Sequence, residues 1–402
     1  MDLESISIGA KLKGLNLLGT GDFTHPKWFS ELRSKLKESE EGLYVHRGIY
    51  WMLTCEVALI YSQDGKSRRI HHLIHAPSIE VVEQINDCLR KYGNLSSDGR
   101  PNFNNLTSPE LVELMCSIDK NIFIIPSHAW TTWYGIFGAN TGFKSLEECF
   151  QEKVGQIFAI ETGLSSDPPM NWRISALDRI ALVSNSDSHS PLPSRLGREF
   201  NVFDLVRPSY GGIFNAIKNK DKNHFLYTVE VPPEYGKYHY TGHRACGVFL
   251  NPKEAVKINN ICPVCNRKLT VGVMQRVEEL ADRPEGYVLK DSVSYKLSLP
   301  LYEIISYIRG TETQYSRKIE EEQLSYIKKA GSEISLLLSS SKPALEHIVG
   351  SEISNIIERL REKKIDFEPG YDGVYGKLIS ERKDLEKGRP RKSSTLDKYF
   401  HK

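Results

Sequence analysis

The chain has 402 residues, of which 40% are hydrophobic and 26% are charged, and its formal net charge is +2. This composition is typical of a globular protein with two or three domains. No apolar stretch is long enough for a transmembrane helix, and the first residues lack the pattern of a secretory signal. The seven cysteines follow no disulfide-rich spacing. We therefore expect a cytoplasmic protein with reduced thiols and no membrane partner.

In residues 1–235, short apolar runs alternate with helical patterns, and several runs end at a carboxylate or a histidine. Runs of this length are typical of buried strands, and their alternation with helices predicts an α/β domain with a mostly parallel sheet. In barrels of parallel strands, catalytic groups gather at the carboxyl ends of the strands. The runs end at or just before Asp22, Glu56, His71 and His72, His128, Glu161, and Asp187 with His189.

Six of these residues predict a site for several metal ions. Carboxylate oxygens suit hard divalent cations and imidazoles suit zinc or manganese, so we expect Zn, Mn or Mg. Asp187 and His189 are two residues apart and should point to one side of an extended segment; together with Glu56 they are the candidate catalytic residues. The apolar run that follows His71 and His72 favours His72 as the ligand. The predicted metal ligands are Asp22, Glu56, His72, His128, Asp187 and His189.

Residues 236–300 contain a second candidate metal site. His243 and Cys246 form one pair and Cys262 and Cys265 another, each with two residues between its members. Two such pairs complete a tetrahedron around one zinc ion and leave no open position, so the role is structural. His239 is an alternative first ligand. We expect a small zinc-binding domain here.

Periodic leucines and isoleucines predict a helical region at residues 301–378, and residues 379–402 form a basic tail. The tail ends in an aliphatic residue and two aromatics, Leu396, Tyr399 and Phe400, which would share one face of a short helical turn and enter an apolar pocket. This spacing resembles the motif that binds the sliding clamp PCNA, although Ser393 stands where that motif normally has glutamine. We therefore expect a clamp as partner.

Several segments together resemble the successive motifs of a PHP (polymerase and histidinol phosphatase) domain: residues 20–28, 54–57, 70–73, 126–130, 161–167 and 184–190. Within that superfamily the chain is most similar to endonuclease Q, over nearly its whole length. The resemblance implies a distorted (β/α)7 barrel in residues 1–235, and the basic residues of the helical region at 301–378 make it a candidate DNA-binding region. It also implies cleavage of DNA on the 5′ side of uracil, hypoxanthine, xanthine or abasic sites, with metal on the six residues named above.

Residues beside the predicted metal site could contact DNA. Arg195 and Arg198 follow the last metal motif, and guanidinium donates paired hydrogen bonds to phosphate; an ion pair with a nearby acid is an equally good interpretation of Arg198. Trp130 and Trp133 follow His128 and could stack on an extruded base, although simple packing explains each of them as well.

One feature departs from the family pattern. PHP proteins open with a strand that ends in His-x-His and supplies two metal ligands, but no histidine precedes His25. We expect this polypeptide to lack the first barrel strand and to cleave DNA poorly unless a longer N-terminus restores it, because ligand count sets metal affinity.

Two other functions remain open. A PHP-type phosphoesterase acting on small phosphate monoesters would use the same metals, but it needs neither a zinc module nor a clamp motif. A non-catalytic, clamp-tethered DNA-binding factor is favoured by the missing His-x-His.

Overall fold

The computed structural model describes residues 1–97, 100–311 and 315–379; the proposed clamp residues Leu396, Tyr399 and Phe400 lie outside these ranges. The strands are β1 (Leu17–Gly19), β2 (Lys37–Glu40), β3 (Leu43–His46), β4 (Ile49–Gln63), β5 (Lys66–Ala76), β6 (Asn102–Asn104), β7 (Phe123–Pro126), β8 (Ala159–Glu161), β9 (Ala181–Val183), β10 (Phe200–Phe203), β11 (Phe225–Glu230), β12 (Thr241–His243), β13 (Val248–Leu250), β14 (Ser294–Leu297), β15 (Asp366–Glu368) and β16 (Lys377–Ile379). The helices are α1 (Leu3–Lys13), α2 (Pro26–Lys35), α3 (Ile79–Leu89), α4 (Ser108–Ile118), α5 (Leu146–Phe150), α6 (Pro168–Asn171), α7 (Tyr210–Lys218), α8 (Pro252–Lys257), α9 (Val273–Leu280), α10 (Leu301–Ile308), α11 (Arg317–Ala330) and α12 (Lys342–Arg361).

The largest sheet runs β2-β3-β4-β5-β7, with every neighbouring pair antiparallel. The short strands β1 and β6 add to β4 in parallel. The expectation of a mostly parallel sheet is therefore wrong. The physical reason is the turn between β4 and β5, where Asp64 and Gly65 both have positive φ, 52° and 71°, as in the two-residue turns that join tight hairpins.

Smaller sheets complete the α/β architecture. Strands β8 and β9 pair in parallel, so their carboxyl ends lie at the same edge, and β10, β11 and β14 form a mixed sheet. Among the described residues, these pairings do not close the predicted barrel. The fold is thus mixed α/β, and every parallel pair among the described strands includes at least one short strand.

Helix starts follow the local sequence. Ser78 caps α3, since its side chain accepts a hydrogen bond from Val81 N. Helix α4 begins at Ser108, one residue before Pro109, because Thr107 is the cap and forms a capping box with Glu110. Both helices bury one apolar face against the large sheet and so fix the strands that carry the candidate site.

The C-terminal helices form a second apolar core that includes Leu301, Ile305, Ile353 and Ile357. Within the described ranges, no helix is long and apolar enough to cross a bilayer. The helical core is tied to the N-terminal half by a buried ion pair. Lys13 Nζ lies 2.7 Å from Glu333 Oε1 and 3.0 Å from the carbonyl oxygen of Pro193, in the loop that follows Asp187 and His189.

Candidate metal centres

The register of the β4–β5 hairpin decides which histidine lies beside Glu56. Glu56 pairs with Leu73 across the hairpin, and side chains two residues apart on a strand share a face. His71 is therefore on the face of Glu56, and its Nδ1 lies 2.8 Å from Glu56 Oε1.

His72 points to the opposite face, which corrects its prediction as a metal ligand. Its side chain is fully buried, and its Nε2 lies 2.9 Å from Ser108 Oγ on α4. Burial lowers the pKa of His72 to about 3, so the imidazole is neutral. We infer that His72 is a core histidine.

His128 completes a tight group, as predicted. It follows β7 with a φ of 29°, and its Nε2 lies 3.2 Å from Glu56 Oε1 and 3.0 Å from His71 Nδ1. Tetrahedral zinc with bonds of about 2.0–2.1 Å separates its ligand atoms by roughly 3.3 Å. The three atoms thus have the spacing of metal ligands, and we refer to these three residues as the Glu56 cluster.

The hydrogen bonds around the cluster fix where its lone pairs point. Thr131 donates its hydroxyl proton to the carbonyl oxygen of His128 at 2.9 Å, so at the 2.6 Å contact between His128 Nδ1 and Thr131 Oγ1 the imidazole donates. Neutral His128 therefore presents a lone pair at Nε2. Arg100 Nη1 can only donate, so His71 Nδ1, 3.1 Å away, accepts.

Three electron-pair donors, from Glu56, His71 and His128, thus converge on one point. They repel each other unless positive charge lies between them, supplied either by a proton on His128 or by a metal cation. Their nitrogen and oxygen donor set suits zinc or manganese. The structure therefore fits a metal at the Glu56 cluster.

The ionisation of the cluster follows from burial and mutual contact. Burial alone would raise the pKa of Glu56, but its contact with His128 holds it well below its usual range. Burial lowers the pKa of His71 to about 4 against the opposing effect of Glu56. Burial would also lower the pKa of His128, but the Glu56 contact outweighs it and raises this pKa. Glu56 is therefore an ionised carboxylate that can bind a cation.

The other predicted ligands lie around the cluster. Among the described residues, only the donor atoms of Glu56, His71 and His128 form a group here in which all atoms lie within 4.8 Å of one another. Asp22 follows β1, and burial together with Glu56 raises its pKa. Asp187 follows β9, and its Oδ1 lies 3.3 Å from His189 Nε2. Burial would raise the pKa of Asp187, but His189 lowers it, whereas Asp187 raises the pKa of His189. The charge of Glu56 therefore acts on the pKa values of both Asp22 and Asp187.

Glu161 belongs to the site although it was not among the predicted ligands. Its Oε2 accepts a hydrogen bond from His128 N at 2.7 Å, and its Oε1 accepts one from Asn185 Nδ2 at 2.9 Å. Burial raises the pKa of Glu161 to about 7. Glu161 thus fixes the backbone of His128. Its position at the end of an apolar run was the signal that could have placed it here.

The two arginines that follow Asp187 contact protein atoms. Arg195 Nη1 lies 3.3 Å from Glu303 Oε1 on α10, and Arg198 Nη2 donates to the carbonyl oxygen of Ser186 at 3.0 Å. Arg198 is therefore held by a backbone oxygen beside Asp187 and not by an acidic side chain.

The two predicted tryptophans differ in exposure. Trp130 is buried and its Nε1 donates to Asn171 Oδ1 at 2.8 Å, so it is a core residue and the prediction of a base contact is corrected. Trp133 is 39% exposed and its ring lies 5.7 Å from that of Tyr238 in an edge-to-face contact. Trp133 alone remains available for stacking.

The second predicted centre is assembled as its spacing indicates. The ligand atoms of four residues lie within 4.8 Å of one another, and we call these residues the cysteine quartet: His243, Cys246, Cys262 and Cys265. Cys265 Sγ is 3.3 Å from His243 Nδ1, and contacts with Arg267 lower the pKa of Cys265 to about 6. A thiolate-forming, four-donor site with this spacing fits one zinc ion. His239 is buried outside the quartet and stacks on Tyr240.

No protein-family model matches the chain. An uncharacterized protein of Methanocaldococcus jannaschii, MJ0043, is 34% identical over 280 residues, which are 68% of this chain and 34% of that protein. The crystal structure of the lesion-specific endonuclease PfuEndoQ from Pyrococcus furiosus has 31% sequence identity and a TM-score of 0.83, covering 97% of this chain and 94% of that one. The chain belongs to the endonuclease Q family.

A second solved structure of the family agrees. Endonuclease Q in complex with a 27-mer duplex carrying an abasic lesion at the active site has 32% identity and a TM-score of 0.84, covering 98% of this chain and 95% of that one. The family consists of DNA endonucleases, which are hydrolases. The chain spans about a third of the M. jannaschii relative, so the activity of that longer protein is not transferred here.

Proposed function

We propose that this chain is a metal-dependent DNA endonuclease with a PHP-type site that cuts the backbone on the 5′ side of deaminated bases or abasic sites. The observation that carries the proposal is the Glu56 cluster, within a chain that matches endonuclease Q over 97–98% of its length. Uracil, hypoxanthine and xanthine are the proposed deaminated bases, and the lesion in the complex of the relative is abasic.

The Glu56 cluster would hold one divalent ion, and Asp22, Asp187 and His189 are the proposed ligands of further ions. Bound Zn, Mn or Mg ions activate water and neutralise charge on a phosphate. The protein's own part is to orient the donors. Thr131 orients the His128 ring through Nδ1, a supporting contact of the kind that tunes ligand affinity.

The residues around the cluster shape the approach of the substrate. His189 is 74% exposed on its side chain and faces solvent beside Asp187. Arg198 fixes the carbonyl oxygen of Ser186 and thereby the start of the Asp187 segment. The exposed Trp133 and the half-buried Tyr238 form an aromatic pair on which an extruded base could stack. This open rim suits a long duplex better than a small molecule, which would bind in an enclosed pocket.

The cysteine quartet would hold one structural zinc ion. All four donors are supplied by the chain, so no position is left for a substrate. Asp372 supports this segment, because its carboxylate accepts hydrogen bonds from Arg244 N and Thr270 Oγ1, both at 2.7 Å. The zinc would hold the region beside Tyr238 in place for DNA binding.

The test is cleavage of labelled duplexes that carry one abasic site, uracil, hypoxanthine or xanthine, with Mn²⁺, Mg²⁺ or Zn²⁺ added to chelator-treated protein. We expect a metal-dependent nick on the 5′ side of the lesion and little cutting of the undamaged duplex. Glu56→Gln should remove the nick, because it removes the charge that binds the cation.

Two outcomes would contradict the proposal. Hydrolysis of a small phosphate monoester such as p-nitrophenyl phosphate, with no nicking of DNA, would favour the phosphoesterase. Tight binding of lesion duplexes without metal-dependent cleavage would favour the non-catalytic factor.

The clamp partner is a separate proposal that rests on Leu396, Tyr399 and Phe400. A truncation after Lys392 should lose binding to PCNA and keep cleavage of short duplexes. The control is the substitution of Ser393 by glutamine, the usual residue of the motif, which should strengthen binding. Equal PCNA binding by the full and truncated chains would contradict the proposal.

A further inference from the structure

Arg100 contributes a positive charge at the Glu56 cluster that the sequence pattern did not identify. Its Nη1 lies 3.4 Å from both carboxylate oxygens of Glu56 and 3.1 Å from His71 Nδ1. Arg100 is therefore in contact with both Glu56 and His71.

Arg100 and a metal ion compete for the same atom. A neutral imidazole has one nitrogen lone pair, and Arg100 occupies the lone pair of His71 Nδ1 by hydrogen bonding. A cation bound by Glu56, His71 and His128 would need that lone pair. The guanidinium must therefore leave His71 when a metal ion binds.

The backbone limits how far Arg100 can move. The next residue, Pro101, accepts a hydrogen bond from Ala58 N on β4 at 3.0 Å, and Asn102 pairs with Ala58. This anchor keeps the start of β6 beside the cluster. The Arg100 side chain is 28% exposed, so the guanidinium can turn outward without a change of backbone position.

Outward from the cluster is the side from which DNA must reach the metal site. Guanidinium groups bind phosphate oxygens with paired N–H donors. The arginines predicted for this task are engaged elsewhere, since Arg195 contacts Glu303 and Arg198 contacts the carbonyl oxygen of Ser186. Arg100 is thus well placed to meet the phosphate.

We propose that Arg100 is an exchangeable substrate-binding residue. In the structure its guanidinium neutralises Glu56 and occupies His71 Nδ1; a cation at the Glu56 cluster would displace it from His71, and it would then donate to a non-bridging oxygen of the phosphodiester to be cut. This inference rests on the proposed endonuclease function. It predicts that loss of the guanidinium changes metal affinity and substrate binding in opposite directions.

The test compares wild type with Arg100→Gln in two measurements. Mn²⁺ affinity is measured by isothermal titration calorimetry without DNA, and we expect it to become roughly 3- to 10-fold tighter because a competing hydrogen bond is lost. The kcat/KM for an abasic duplex at saturating Mn²⁺ should fall by about 10- to 100-fold, the loss expected for a hydrogen bond to a charged group. Arg100→Lys should recover part of the cleavage, since it keeps the charge without the paired donors.

The control is Arg90→Gln, which removes an exposed arginine that pairs with Asp87 on α3 and should alter neither measurement. If Arg100→Gln weakens both metal binding and cleavage, Arg100 is a structural support and the proposal is wrong; unchanged values would overturn it equally. If wild type neither binds Mn²⁺ nor nicks the duplex, the proposed function itself fails.

Discussion

The Glu56 cluster and the cysteine quartet are both candidate metal centres, yet the chain assembles them differently. The ligands of the cluster come from β4, β5 and the loop after β7, up to 72 residues apart, and depend on the pairing of two long strands. The ligands of the quartet come from two short turns around a small apolar core of Val248, Leu250 and Ala255. A centre built from turns depends on its metal for local stability, whereas a centre built on a sheet depends on strand register.

The largest effect should come from removing a ligand of the quartet. Structural zinc binds peptides with about 10–16 kcal/mol, so one of four ligands accounts for roughly 3 kcal/mol or more. Cys262→Ser should therefore lose the zinc and unfold residues around 241–270. Zinc content by mass spectrometry and limited proteolysis check this prediction.

Cys88→Ser on α3 is the matched control, because it removes a thiol outside both centres. It should keep both the zinc content and the resistance to protease. A Cys262→Ser protein that keeps its full zinc complement would show that the quartet does not hold the ion.

The second prediction distinguishes His71 from His72. His71→Ala should lower metal-dependent cleavage by roughly 100-fold or more, because it removes a ligand from the Glu56 cluster. His72→Ala should keep cleavage and instead lower the free energy of unfolding by about 2 kcal/mol, because it empties a buried site and removes the hydrogen bond between His72 and Ser108. Single-turnover cleavage and urea unfolding of both variants give the comparison.

The reverse result, with cleavage lost in His72→Ala and kept in His71→Ala, would mean that the hairpin register differs from that of the structure. A one-residue slip exchanges the two faces of a strand. The same pair of variants therefore tests the register and the metal site together.

The contrast between the two centres also explains how much the sequence could predict. The quartet was predictable because its ligands lie in two C-x-x-C-like pairs, and the caps of α3 and α4 were nearly so because capping is local. The choice between His71 and His72 was within reach. Had Asp64-Gly65 been treated as a two-residue hairpin turn, counting back from Gln63 and Lys66 would have paired residue 58 with 71 and placed His71 on the face of Glu56.

Other features could not be predicted from local pattern. The mixed sheet results from strand pairing between distant segments, and apolar runs in parallel and antiparallel sheets look alike when both faces are buried. Arg100 gave no signal because it lies outside the apolar runs. Trp130 follows His128 by two residues in the sequence, yet its ring turns into the core against Phe137.

The two regions should also respond oppositely to pH. Acid should protonate the thiolates of the quartet and release the proposed zinc ion. Glu199 and Glu230 are a pair of buried acids whose Oε2 atoms are 3.0 Å and 2.9 Å from the hydroxyl oxygen of Ser184. Burial and the neighbouring charge of Glu230 raise the pKa of Glu199 well above its usual range, so the pair holds a proton. Alkali should therefore destabilise this region.

The smallest predicted effect follows from that pair. Burial raises the pKa of Glu230 to about 7 from 4.5 in the unfolded chain. A raised carboxyl pKa gives stability that is complete below about pH 4.5 and is lost as pH rises through 7, because the folded state then binds more protons than the unfolded state. Between pH 5.5 and 8 this loss is about 2 kcal/mol.

Glu230→Gln, which cannot ionise, should flatten the dependence of unfolding free energy on pH over that range, as measured by urea titration. Glu83→Gln, an exposed carboxylate paired with Arg33, should leave the slope as in wild type. An equally steep slope in Glu230→Gln would mean that the proton of the pair resides on Glu199 throughout, and that Glu230 does not titrate near neutrality.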